Sequence, residues 1–368
     1  MNGAYVLIDL DALERNATAL KSRLGDFYCV LKCDAYGHGA EKCAARLYSA
    51  GIKRFAVYSL NEAKTVRKAA KNAEILILGR TEPFFSDELA RGGFIQTVGS
   101  AEYARALSAL SKNVKIHIEI DCGMNRSGFK PREIAEISLP FTKENVLGVF
   151  GHLSCADEKE LSEAKKQLQT FEDAAEFLEI KLEKKLLRHL SASAGSLRDE
   201  IKTDALSRVG LALYGIAPEN CDGGFLTPVM SFHSVVTDVR AVKRGENVSY
   251  GLDHPLKRDS IIATISGGYA NGIHRASADA LTVMIKNHPV SAFGKICMDR
   301  FMVDVTDLFS KGITVCSGDT VTFFDRNFGI ENMARACGTI PYEMLVSIGN
   351  VSKRIYLEKV EHTSTPQK

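Results

Sequence analysis

Short apolar, β-branched runs recur through the first 215 residues, and polar segments fill the gaps between them. The runs lie at 28–31, 55–58, 75–78, 95–98, 114–120, 146–150, 186–190 and 206–209. Segments 61–70, 101–110 and 161–179 carry helical periodicity or charge, whereas 195–199 reads as a short turn-like link. Strand–helix alternation predicts a parallel sheet. Eight strands over roughly 190 residues fit a (β/α)8 barrel. A doubly wound sheet stays open as an alternative, although no glycine-rich dinucleotide fingerprint follows the first strand.

The pattern changes after Pro218. Strand candidates at 230–241, 247–250, 260–265, 280–285, 301–305 and 320–324 then follow one another with turn signals between them. This predicts a mostly antiparallel β domain with one short helix at 330–337. The expected fold class is therefore α/β: an N-terminal (β/α)8 TIM-type barrel over 1–218, then a C-terminal mostly antiparallel β domain over 219–368. The opening strand, 4–9, precedes a capped helix at 11–20 and is free to pair with the β domain instead of the barrel. The polar tail, 361–368, is expected to fray.

Composition narrows the class without naming a chemistry. With 368 residues, 45% apolar and 25% charged, the chain is an ordinary two-domain globular protein. A net charge of +2 offers no nucleic-acid footprint and no polybasic membrane patch. Nine scattered cysteines suit a reducing compartment better than a disulfide framework. No apolar run approaches the ~20 residues of a membrane helix. The expectation is a soluble cytoplasmic protein.

Candidate chemistry begins at Lys32, which ends the first buried run. A buried, unpaired ammonium is costly. Such a lysine either snorkels to water or works as an amine, for example on a carbonyl cofactor such as pyridoxal phosphate. In a barrel the active site lies at the C-terminal strand ends. The polar groups there are Lys32 and Tyr36, Asp121 and Arg126, His152 and Ser154, Ser191 and Ser193, and Arg208. Each alone has a structural reading as a cap, turn or surface pair. Their recurrence at so many strand ends favours a site. Ser193 and Gly210–Leu211 are placed for a phosphate, which in barrels usually sits on the last loops. His38, His117, His152 and His189 lack metal-ligand spacing and read as satisfied structural groups.

Several ordered motifs carry a resemblance. They are Val30-Leu-Lys-Cys-Asp-Ala-Tyr-Gly-His-Gly39, Asp121-Cys-Gly-Met-Asn-Arg126, His152 through Asp157, Arg208-Val-Gly-Leu-Ala-Leu-Tyr-Gly215, Val248-Ser-Tyr-Gly251, Gly268-Tyr-Ala-Asn-Gly272, Cys297-Met-Asp299 and Pro341-Tyr-Glu343. The chain resembles the alanine racemases, a two-domain family dependent on pyridoxal 5'-phosphate, over residues 4 to 356.

The resemblance implies roles. Lys32 would hold the cofactor through its amine and act as base on one face of the substrate α-carbon. Tyr250 would be the base on the other face, because racemization removes a proton from one side and returns one from the other. A tyrosine of ordinary pKa, ~10, needs help to act as a base near pH 7; His152 and Arg208 would supply it. Arg208 would face the ring nitrogen of the cofactor and, being always protonated, leave that nitrogen unprotonated. That weakens the electron sink and favours racemization over transamination or decarboxylation. Tyr36, Ser193, Tyr342 and the backbone of Gly210 and Leu211 would hold the phosphate. Arg126 would bond the phenolic oxygen and, with the Met298 backbone, the substrate carboxylate. The family pattern also implies a homodimer in which Tyr250 and Met298 enter the other subunit's site, a small amino-acid substrate, and D-alanine made for peptidoglycan.

Departures from the family pattern concentrate on specificity. Glu119 stands where a carbamylated lysine is frequent, and is expected to pair with Arg126. Ala192, Asn271 and Arg300 replace asparagine, aspartate and glutamine. Alternatives are a serine or broad-specificity amino-acid racemase, a decarboxylase on the same architecture, which Arg208 opposes, and a non-catalytic pyridoxal-phosphate-binding protein.

Overall fold

The computed structural model describes residues 3–136 and 140–358, so the tail expected to fray at 361–368 lies outside the described residues. The chain divides into two compact units. One holds Leu13–Ala35 and Gly39–Thr227; the other holds Met1–Ala12, Tyr36–His38 and Pro228–Lys368.

The first unit is built on eight parallel strands: Phe27–Val30, Arg54–Val57, Glu74–Ile77, Ile95–Val98, Lys115–Glu119, Val146–Phe150, Leu187–His189 and Ser207–Val209. Each pairs with the next from the first to the seventh, and the eighth returns to the first, with Phe27 opposite Ser207 and Tyr28 opposite Arg208. A parallel bridge between His189 and Leu206 closes the ring. All eight expected runs are present, shifted at their ends by a residue or two.

Strands enclosed on both faces lose the apolar–polar alternation of a half-exposed strand. Phe27–Val30 and Ile95–Val98 are accordingly buried at every position. Two of the intervening helices start where the sequence supplies a side-chain cap. Ser59 accepts from Glu62 N while Glu62 accepts from Ser59 N, a reciprocal box that opens Leu60–Ala69. Ser100 does the same one-way service for Ala101–Leu110 by accepting from Tyr103 N. The link expected near 195–199 instead contains a one-turn helix, Ser193–Ser196, and a 3-10 turn, Asp199–Ile201. Segments that short carry no readable period.

In the second unit the long strand Met230–Val242 is shared. Its first half pairs antiparallel with Tyr5–Asp9 and with Thr320–Phe324; its second half pairs with Ser260–Ser266 beyond a bulge at Val236–Asp238. Tyr5–Asp9 also pairs in parallel with Lys353–Leu357.

Residues 247–250 do not form the expected strand; only a bridge between Asn247 and Pro255 is made. Left-handed backbone at Ser249 (φ 72°) and Leu252 (φ 54°) breaks the pleat there. Two strands beyond those the sequence pattern predicts are present, His288–Ser291 and Lys353–Leu357. Pro289 disguises the first. Two helices join the expected one, Thr306–Ser310 and Pro341–Val351; the second buries Met344, Leu345, Ile348 and Gly349 on one side. Among the described residues no helix is long and apolar enough to cross a membrane.

Candidate active site

Lys32 lies just past the first barrel strand. Leu31 is still tied to the second strand through Ala56 O (2.8 Å). The chain then turns through four left-handed residues, Cys33, Asp34, Ala35 and Tyr36, with φ of 52°, 52°, 56° and 53°. Left-handed backbone costs roughly 1–2 kcal/mol per non-glycine residue, so other groups must impose it. Glu62 accepts from Cys33 N (2.7 Å) and Asp34 accepts from Ala40 N (2.7 Å). Burial, reinforced by the positive charges of Arg126 and Arg208, holds the half-buried Lys32 amine below its ordinary pKa. A larger fraction of the amine is then unprotonated near neutral pH than for a surface lysine.

Arg208 is the most heavily bonded group in the barrel mouth. It donates to Gly151 O (2.7 Å) and Leu190 O (2.9 Å), and its Nη atoms lie 3.0 Å from His189 Nδ1 and 3.2 Å from His152 Nδ1. Its guanidinium also lies over the Phe150 ring, 5.0 Å from the centroid. Burial lowers its pKa to about 10, which leaves it protonated at pH 7. His152 is driven the other way from a charged state. Burial first, then Arg208, Arg126 and Lys32, lower it to about 3, so it is neutral.

Three of the four histidines, His117, His152 and His189, come together around Arg208. His189 bridges from Arg208 to His117, Nε2 to Nδ1, over 2.8 Å. These two strands are not neighbours, because Val146–Phe150 runs between them. Gly148 makes the meeting possible. A β-carbon there would stand 2.7 Å from His117 Nε2 and 2.7 Å from Leu187 O. A glycine within Val-Leu-Gly-Val-Phe, together with two histidines in buried strands, was the signal available in the sequence.

Glu119 ends the fifth strand and is buried. Its partner is not the expected one. Ser127 Oγ donates to Glu119 Oε1 (2.8 Å), and among the described residues no ion pair joins Glu119 to Arg126. Arg126 is exposed and acts on Glu119 through charge alone. The reason is local. Asp121 accepts from Gly123 N, Asn125 N and Lys130 Nζ, which folds 121–130 into a tight loop with Ser127 turned to Glu119. Burial raises the Glu119 pKa against the opposing pull of Ser127, Arg126 and Arg208.

Ser193 starts the one-turn helix after the seventh strand. Its Oγ accepts from Gly210 N (3.1 Å) and Ala212 N (3.2 Å). Ala192 at the preceding position supplies no side-chain cap. Ser191 Oγ is buried with no hydrogen-bond partner among the described residues.

The remaining expected site residues lie in the second unit. Tyr36 and Tyr342 approach ring to ring, with centroids 6.2 Å apart. Gly37 makes that packing tight: a β-carbon on it would lie 2.5 Å from Leu345 O. Met298, 54% exposed, sits on a loop held by Tyr269 N to Cys297 O and Ala270 N to Met298 O. Asn271 braces that loop's partner by accepting from Gly268 N (3.2 Å). Arg300 is exposed in its strand, opposite Ser266. Tyr250 is 67% exposed at the tip of a loop.

Comparison with known families decides what this arrangement belongs to. The model of the alanine racemase N-terminal domain matches residues 8–218, and that of the alanine racemase C-terminal domain matches 229–356. The chain belongs to the alanine racemase family. It is 35% identical to alanine racemase 1 of Clostridium acetobutylicum over 371 residues, covering 96% of this chain and 95% of the relative. Among solved structures of the family, the enzyme from D-cycloserine-producing Streptomyces lavendulae superposes with a TM-score of 0.88 at 28% identity, covering 98% of this chain and 99% of that one. The Bartonella henselae alanine racemase, solved with covalently bound pyridoxal phosphate, gives 0.87 at 28% identity over 97% and 100%.

Proposed function

We infer that this chain is an isomerase that interconverts L- and D-alanine with pyridoxal phosphate. The observation that carries the reading is Arg208: a buried cation, held by Gly151 O, Leu190 O and His189, stands in the barrel mouth that also holds an amine of lowered pKa, Lys32. The residues present fit the cofactor. Lys32 offers the amine, and the Ser193 hydroxyl, with both acceptor sites filled by backbone N–H groups, keeps its own proton to donate to an anion. The unpartnered, buried Ser191 Oγ is a polar atom that a ligand can satisfy.

Lys32, Tyr36, Arg126, His152, Ser193, Arg208, Gly210, Leu211 and Tyr342 are the groups we assign to holding it. When bound, the cofactor withdraws charge from the α-carbon of an amino acid and so acidifies its α-proton. The protein then has to move a proton on each face. Lys32 Nζ serves one face, because its lowered pKa keeps free amine available. Tyr250 Oη serves the other. Arg208 cannot surrender a proton to a ring nitrogen, which keeps the acidity moderate and the proton's return fast. His152 accepts from Arg208 at Nδ1, so as a neutral ring it carries its proton on Nε2 and can donate there to a phenolate. Arg126 and the Met298 backbone orient the substrate carboxylate.

Two of these groups, Tyr250 and Met298, are exposed in the second unit. That exposure supports a homodimer in which each subunit lends them to the other's site. The test of the activity is chiral chromatography of L-alanine and L-serine, each incubated with the pyridoxal-phosphate-loaded protein. D-alanine appearing well ahead of D-serine is the expected result. D-serine in the lead would reassign the substrate, and no D-product from either would overturn the reading.

A further inference from the structure

Tyr250 stands at the end of a loop whose base is packed and whose tip is not. The base is closed by Leu256 N to Glu246 O (2.9 Å), Gly245 N to Leu256 O (2.9 Å) and Val248 N to His254 O (3.2 Å). Val248 and Leu256 are buried with Ile262. The tip has left-handed backbone at Ser249 and Leu252, and Leu252 is 77% exposed. Apolar burial therefore does not fix Tyr250. Polar contacts to a second loop, 293–295, do. Ser249 Oγ donates to Lys295 O (2.8 Å), and Lys295 Nζ donates to Asp253 Oδ2 (2.8 Å).

His254 completes the tie. Its Nδ1 lies 2.8 Å from Asp253 Oδ1 and its Nε2 lies 3.1 Å from Asp279 Oδ2. Asp279 in turn accepts from Gly294 N (2.9 Å), which links it back to the second loop. The ring edge rests against Phe293, with centroids 6.0 Å apart at 78°. The charged groups facing His254 are thus Asp253 and Asp279, with Lys295 bonded to the far oxygen of Asp253. Ionised carboxylates only accept hydrogen bonds. A neutral imidazole has one N–H and can satisfy one of them; only the imidazolium donates to both.

We propose that His254 is a positioning residue for racemization: its protonated ring, gripped by Asp253 and Asp279, fixes the turn that carries Tyr250. The inference rests on the reading of Tyr250 as the second base. Hydrogen bonds from Asp279 and then Asp253 raise the His254 pKa above the ordinary histidine value. The grip is therefore complete below the ordinary value and loosens as pH rises through the raised one. Misplacing a catalytic group lowers kcat more than it alters ground-state binding. Because both carboxylates are half-exposed, salt weakens the grip.

The test measures kcat and KM for L-alanine from pH 5.5 to 9.5 on the holoenzyme, for wild type, His254→Gln, Asp279→Asn and Tyr250→Phe. We expect His254→Gln to lower kcat roughly fivefold at pH 6.5 with KM changed less than about twofold. The deficit should close at alkaline pH, where the wild-type ring has lost its proton. Asp279→Asn should move the wild-type step to lower pH, a change that a purely structural role would not produce. If His254→Gln runs parallel to wild type at every pH while Tyr250→Phe is inactive, the inference alone fails. Should Tyr250→Phe keep wild-type kcat, the reading of Tyr250 fails and takes the inference with it. If His254→Gln does not fold, Asp279→Asn decides: an unmoved step overturns the proposal.

Discussion

His189 Nε2 meets His117 Nδ1 at 2.8 Å while His189 Nδ1 faces Arg208, and this fixes the protons of both rings. A guanidinium only donates, so His189 Nδ1 must accept. Its proton is then on Nε2, donated to His117 Nδ1. The His117 proton is left on Nε2, a buried atom with no partner among the described residues. Burial lowers His117 to about 3, and burial with Arg208 also lowers His189. Long-range 1H–15N spectra should show both rings as Nε2–H tautomers, with no titration between pH 5 and 8. A charged or Nδ1–H ring at either position would contradict the assignment.

The same histidines make stability depend on acid. His117 and His152, both near 3 when folded, have ordinary values of about 6.5 when unfolded. Between those limits the unfolded chain binds more protons than the folded one, so stability rises with pH. It is fully present above about pH 6.5 and drains away as pH falls toward 3. The urea midpoint should decline steadily across that window, and replacing His152 by Gln should flatten the slope.

Gly148 keeps the two histidines in register by lacking a side chain. Gly148→Ala would press a methyl group against His117 Nε2 and the Leu187 carbonyl, both 2.7 Å away. Backbone cannot move aside as a flexible side chain can, so a loss of about 1–3 kcal/mol is expected. Arg208 should be disturbed along with it. A lower melting temperature with a fall in kcat is the expected pair of results; an unchanged melting curve would show that the strand relaxes freely.

Glu119 should trade stability for function. Its pKa is raised in the folded state, mainly by burial, so keeping it ionised at neutral pH works against folding. Glu119→Gln retains the Ser127 hydrogen bond and removes that burden. Melting should rise by about 2 °C at pH 8 and stay unchanged near pH 3. The negative charge acting on Arg126 is lost at the same time, so KM for alanine should increase several-fold. Undiminished activity and affinity would remove Glu119 from the site.

Tyr250→Phe should reduce racemization by about 10²–10⁴-fold while the bound cofactor's absorbance persists. A mixing experiment tests whether sites are shared. Lys32→Ala and Tyr250→Phe proteins are each expected to be inactive. After subunit exchange, hybrids would hold one intact site, restoring up to about a quarter of wild-type activity. No recovery after verified exchange would place both residues of each site in one subunit.

The barrel was legible because its strands are short, apolar and separated by helical segments, two of which open on side-chain caps at Ser59 and Ser100. Lys32 and Arg208 stand out in the sequence because a cationic side chain at the end of a buried strand demands a reason. Short-range pattern also placed the second unit's principal strands. It misread 247–250, where left-handed backbone at Ser249 is not a property of an apolar run, and it missed His288–Ser291, where a proline sits in a strand.

What only tertiary structure decided was who meets whom. His117 and His189 are 72 positions apart and separated by a strand, and they touch only because the intervening strand presents Gly148. Glu119 found Ser127 instead of Arg126 because Asp121 and Lys130 fold the loop between them. Periodicity records which face of an element is buried. It carries no record of side-chain proximity between distant elements, and charge and hydrogen bonding act only over the few ångströms that closure of the fold creates.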